Sequence, residues 1–122
     1  MAGKMVHIEI PAEDTGKARA FYGGLFGWEF EAFPPGSEYH MARIDDTSGV
    51  AVSGREPGQR GSRSYFDVDD IHASKARVEE LGGQADEAMP VPSMGWFVTC
   101  RDPHGNDFGL WQSDLEAPMP EM

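Results

Sequence analysis

His7 and Glu9 stand two residues apart in VHIEI, and on an extended chain that spacing puts an imidazole and a carboxylate on one face. An imidazole titrates near neutrality, so His7 can donate to a metal or act as general base, and Glu9 can share either task. Arg63, in RSYFDV, is a permanent cation and cannot ligate a metal; Tyr65 and Asp67 share its parity. Tyr39, Met41 and Arg43 form a third alternating set, Gly109 and Trp111 a fourth, and Trp96 follows the bend PVPSMG. His40 alternates with Tyr39 and Met41, His72 opens a helix and His104 sits in a reverse turn; none of them makes an HxxxH spacing with a nearby acid. The single cysteine, Cys100, precedes Arg101 with no adjacent histidine to activate it, and reads as a buried, inert thiol. There is no GxSxG for an acyl-transfer serine, and no glycine-rich loop follows a strand to cradle phosphate.

The elements that must position these residues follow from the apolar pattern. Val6, Ile8 and Ile10 alternate with His7 and Glu9, the period of a half-buried strand. Asp14 or Thr15 then supplies an N-cap, and Ala18, Phe21, Tyr22 and Leu25 fall at helical spacing before glycines stop the helix. Further strands are predicted at Trp28–Phe33, Glu38–Ile44 and Gly49–Ser53, separated by PPG and DDT turns. After a Gly/Pro-rich stretch the order repeats: a strand at Arg63–Val68, a helix over Ile71–Leu81 ended by two glycines, and strands at Gln84–Ala88, Trp96–Arg101 and Asp107–Gln112. In register, His7 falls on Arg63, Ile10 on Phe66 and Asp14 on Asp70. The division expected is a first βαβββ module over 1–54, a linker over 55–62, a second module over 63–114 and a flexible tail over 115–122.

With 122 residues and a formal charge of −11, the chain is a poor match for nucleic acid or an anionic membrane, since phosphate binding needs a basic footprint. One cysteine allows no internal disulfide, and the N-terminus has no apolar run of signal-peptide or membrane-span length. A cytoplasmic, soluble protein is expected.

Three fragments, HIEIPAEDTGKARAFYGGLFGWEFE, YFDVDDIHASKARVEELGG and RDPHGNDFGLWQ, resemble in the correct order the vicinal oxygen chelate superfamily of glyoxalases, bleomycin-resistance proteins and extradiol dioxygenases. The resemblance runs from about Met5 to Gln112. It implies an α+β fold in which two βαβββ modules form a curled mixed sheet around a cleft. In metal-dependent members four side chains, from the first and last strands of the two modules, chelate a divalent ion that acts as a Lewis acid. The first-strand position falls on His7, but its counterpart falls on Arg63, the carboxylate position of the last strand falls on Gly109, and GVAVSG offers no donor at Val50, Ala51 or Val52. One ligand position of four is filled, where a catalytic metal needs about three protein donors.

No cofactor is therefore expected, a divalent metal being disfavoured. The cleft lining implied is His7, Glu9, Tyr39, Met41, Arg63, Tyr65, Gly109 and Trp111, with Trp96 over the entrance; this is an aromatic surface with a few polar anchors, suited to a flat, partly apolar ligand. The favoured function is small-molecule binding without a metal, as in drug-sequestering relatives. The alternative is a lyase, isomerase or dioxygenase in which His7 ligates a metal, or His7 or Glu9 is the catalytic general base. A homodimer is expected, because members of the superfamily commonly pair and sheet edges invite it.

Overall fold

The computed structural model describes residues 3–59 and 61–119. The element order is β1 (Met5–Ala12), α1 (Thr15–Phe26), β2 (Glu31–Ala32), β3 (His40–Arg43), β4 (Gly49–Gly54), β5 (Arg63–Asp67), α2 (Ile71–Glu80), β6 (Gln84–Ala85), β7 (Met89–Val91), β8 (Gly95–Arg101) and β9 (Asp107–Ser113). This is the α+β, twice-repeated βαβββ order, with one strand more in the second half. The chain divides into two compact units: His7–Arg63, and Ser64 onward together with the residues up to Val6. Among the described residues no helix is long and apolar enough to cross a membrane.

In the His7–Arg63 unit the sheet order is β2-β3-β4-β1, with β1 and β4 parallel and the other pairs antiparallel. A parallel pair needs a crossover, which α1 supplies. Asp14 caps α1, its side chain accepting from the Lys17 amide, and Gly27 ends it at φ 75°, a left-handed conformation that glycine adopts without a Cβ penalty. Gly23 and Gly24 lie inside the helix, before Leu25. The register makes two rows on one face, Ile8–Val50–Ala42 and Ile10–Val52–His40, in which Val50, Val52 and Ala42 are buried. The expected strand at Trp28–Phe33 shrinks to the two residues of β2. Trp28 and Phe30 are drawn into ring contacts instead, Trp28 lying 6.0 Å from Tyr22 and 4.7 Å from Phe26 of α1.

In the second unit the order is β5-β9-β8-β6, and β7 pairs with the start of β8. Asp70 caps α2 by accepting from the amides of His72 and Ala73, and Gln112 Oε1 accepts from the amide of Ile71. Val68, Ile71, Val98, Cys100 and Leu110 form the core, with Trp96 and Phe108 packed on it. The PVPSMG bend is an ordered hairpin: Met89–Val91 lies against Gly95–Phe97, and the Met94 amide donates to Val91 O around Pro92-Ser93, with Ser93 at φ 62°.

Two other expected segments carry specific contacts. In 55–62, Gln59 is buried, its side chain accepting from the Glu56 amide; residue 60 lies outside the described residues. In the tail, Ala117 is 6% exposed and its carbonyl accepts from the Ser93 amide; residues 120–122 lie outside the described residues.

Candidate functional site

The face of the His7–Arg63 unit opposite the Ile8 and Ile10 rows carries the chemistry. Its rows are His7–Gly49–Arg43 and Glu9–Ala51–Met41, and strand parity adds Tyr39. β1 and β3 are separated by β4, so side chains from the outer strands must meet about 10 Å apart across the middle one. They can do so because β4 presents Gly49 and Ala51 here, with almost no side chain. A Cβ on Gly49 would stand 3.7 Å from His7 Nδ1 and 3.2 Å from Ala42 O.

The result is a continuous relay. Arg63 Nη1 donates to Glu9 Oε1 at 3.1 Å, and Tyr39 OH donates to Glu9 Oε2 at 2.7 Å. His7 Nε2 lies 2.8 Å from the same phenol oxygen, with the two rings stacked at 6.4 Å. The single phenol proton goes to the carboxylate, so the proton between His7 and Tyr39 belongs to Nε2, which assigns the Nε2–H tautomer. Burial pushes the His7 imidazole below its ordinary value of 6.5, and the Glu9 charge only partly offsets this. His7 is accordingly neutral at physiological pH. Both carboxylate oxygens of Glu9 are engaged, and its charge is matched by a guanidinium that is 8% exposed.

Sequence reasoning missed Glu56, whose carboxylate lies 3.9 Å from Arg63 Nη1. It comes from a Gly/Pro-rich stretch with no periodicity to mark it. Met41 lies in the Glu9 row.

The remaining candidates belong to the other unit. Tyr65 pairs with Gly109 and Asp67 with Trp111 in parallel register. The Tyr65 ring covers Gly109 so closely that a Cβ there would meet ring carbons at 2.2 and 2.3 Å. The Tyr65 ring, itself 4% exposed, fills the space over Gly109. Trp111 lies over Gly95 and donates from Nε1 to Ser113 Oγ at 3.1 Å, and Phe97 shares that face, its ring edge-on to Tyr65 at 6.5 Å. Trp96 is not with them. Its register partner is Gln112, which puts it on the α2 face, where it packs on the core, lies 6.0 Å from the His72 ring and donates to Asp114 Oδ2. The odd–even alternation of a strand separates Trp96 from Phe97.

The fit of these residues to a divalent metal is poor. Among the described residues no group of three or more His, Cys, Asp or Glu side chains is placed to hold an ion. Of the donors present, Glu9 is held by Arg63 and Tyr39, and the nearby guanidinium repels a cation. A carboxylate at position 109 is excluded by the Tyr65 ring.

The family described as Glyoxalase-like domain matches residues 5–111. A protein of Mycobacterium tuberculosis named "Putative glyoxylase CFP32" is 29% identical over 116 residues, covering 88% of this chain and 44% of its own, so the chain spans under half the length of that relative. A "Glyoxylase-like domain-containing protein" of Didymella fabae is 32% identical over 118 residues, covering 88% of this chain and 92% of its own. A crystal structure of a glyoxalase/bleomycin resistance protein/dioxygenase superfamily member from Vibrio splendidus 12B01 superposes with a TM-score of 0.69 at 21% identity, covering 93% of this chain and all of that one. With a match over almost its whole length and the same fold, the chain belongs to the glyoxalase-like domain family, within the vicinal oxygen chelate superfamily.

Proposed function

We propose that this protein binds a small, aromatic or partly apolar molecule and does so without a metal cofactor, as a homodimer. The observation that carries the metal-free reading is the state of Glu9: each carboxylate oxygen already accepts a hydrogen bond, one of them from a buried cation. Recruiting Glu9 to a divalent ion would break both bonds and leave Arg63 opposed to the metal. What the relay offers a ligand is a neutral imidazole and a phenol held in fixed orientations, which suits hydrogen bonding to a neutral molecule. A separate surface, the Phe97 and Trp111 face of the Ser64-onward unit, is aromatic, and Trp111 reports by fluorescence on a molecule bound there.

The test combines elemental analysis with fluorescence. Purified protein is expected to carry far less than one divalent ion per chain, and planar aromatic compounds are expected to quench tryptophan emission saturably. Trp111→Leu should weaken that binding by about tenfold. A stoichiometric ion that disappears in His7→Ala overturns the metal-free reading, and quenching that never saturates overturns the binding one.

One observation favours a catalytic reading as the second choice. A neutral His7 tied through Tyr39 to a carboxylate is the arrangement of a general base, matching a lyase- or isomerase-type proton abstraction. Exchange of a C–H proton beside a carbonyl into D2O, lost in His7→Gln, would support it over simple binding.

A further inference from the structure

Helix α1 leaves an apolar surface uncovered. Phe21, Leu25 and Phe26 are 63%, 60% and 56% exposed, far more than large apolar side chains in a packed helix. The aromatic members are not loose. Phe21 meets Tyr22 edge-on at 5.1 Å, and Tyr22 stacks on Phe26 and Trp28 at 6.5 and 6.0 Å. The exposed rings are the outer members of a ladder rooted in half-buried Tyr22 and Trp28, so their geometry is set before anything docks, which lowers the ordering cost of association. The three side chains expose about 300 Å² together, the size of the largest apolar patch on a typical monomer. That is roughly half of what one partner contributes to a small specific interface.

We propose that two copies of this chain pair through α1, with Phe21 and Leu25 of each helix packing against Ala20 and Gly24 of the other. This deepens the pairing part of the proposed function by naming its surface. Three observations select a second copy as the occupant. The first is charge. With a net charge of −11, two copies repel over most of their surfaces, yet residues 20–28, AFYGGLFGW, carry no charge at all.

The second is the rim. Exposed Lys17 stands one turn before this run, and exposed Glu29 and Glu31 stand after it. A two-fold axis through the middle of the patch runs the helices antiparallel and brings Lys17 of one copy toward the glutamates of its partner. The third is shape. Phe21 and Leu25 form a ridge one turn long, and exposed Ala20 and Gly24 form a groove beside it, where a Cβ on Gly24 would have no atom within 4 Å. A ridge beside a groove on one helix is complementary to itself under a two-fold.

Pairing through the short strands β2 and β6 is disfavoured. β2 and β6, which end the strand orders of their units, have two residues each, too short a row of free amides and carbonyls to template another chain.

Light scattering across a dilution series tests the proposal, with far-UV circular dichroism to verify folding. The protein is expected to be a dimer at about 100 μM, and Leu25→Arg or Phe21→Glu to weaken dimerisation by about a hundredfold or more. Gly24→Cys should cross-link two chains on mild oxidation, since the native Cys100 is buried. Glu29→Lys should weaken pairing, and adding Lys17→Glu should restore it. A monomer at about 100 μM overturns both the pairing and its surface. A dimer that survives Leu25→Arg and does not cross-link through Gly24→Cys overturns the surface while leaving pairing intact.

Discussion

Arg63 Nη1 lies 3.1 Å from Glu9 Oε1, with the two side chains 8% and 14% exposed, and this pair joins the first strand of the chain to a residue 54 positions later. Neither charge has much water to fall back on, so each depends on the other. Glu9→Gln keeps the shape of the side chain and its bond to Tyr39 but puts a neutral amide where a carboxylate faces the buried guanidinium of Arg63, and the carboxylate of Glu56, 3.9 Å away, is mostly exposed. A loss of about 3 kcal/mol is expected from urea unfolding. The double variant Glu9→Leu/Arg63→Met should recover most of it, because no unpaired charge remains. A loss below about 1 kcal/mol for Glu9→Gln would show that the pair behaves as a surface ion pair.

The burial of neutral His7 makes stability depend on pH. Its folded-state pKa is below the unfolded value of 6.5, so the unfolded chain takes up the proton first as pH falls. Above 6.5 both states are neutral and this group adds no slope; from 6.5 down to the folded value, stability is lost. His7→Gln should flatten the stability curve in that window, as measured by unfolding at a series of pH values. An unchanged slope would place the titration elsewhere.

Position 109 is closed by geometry. A Cβ there would stand 2.2 Å from a Tyr65 ring carbon, so Gly109→Ala is expected to cost about 3 kcal/mol by thermal unfolding, the upper range for overpacking. The penalty should shrink in a Tyr65→Ala background, where the ring is gone. Equal penalties in both backgrounds would mean that backbone conformation, not the ring, requires glycine.

Cys100 is 2% exposed and burial pushes its thiol up to about 11. At pH 8 almost none of it is thiolate, so a thiol reagent should label native protein far more slowly than protein in denaturant. Rapid labelling of native protein would show that β8 opens easily.

Much of the fold was legible because it rests on local regularities. Alternation of Val6, Ile8 and Ile10 with His7 and Glu9 marks a strand and its two faces, and Asp14 and Asp70 mark two helix starts. Those signals are carried by neighbouring residues, so no long-range contact is needed to read them. The losses came where ring packing or turn geometry prevailed over local propensity. Trp28 looks like a strand residue but stacks on Tyr22 of α1, with Phe30 edge-on to Trp28, and PVPSMG looks like a bend but closes a hairpin with Ser93 at positive φ.

The amino-acid sequence by itself determined the order of the elements apart from β7, the twofold repeat and the placing of His7 and Glu9 on one face of a strand. It also excluded donors from most of the family's ligand positions, since an arginine and a glycine cannot coordinate an ion. Only the tertiary structure decided that Arg63 and Tyr39 take up both oxygens of Glu9, that Tyr65 occupies the space above Gly109 and that Trp96 turns to the α2 face. These depend on register and on which small residues lie between larger ones. Gly49 and Ala51 let Tyr39 reach across β4 to Glu9 because pairing with β1 and β3 sets them between the two. Register is a property of paired strands, and no single strand carries it.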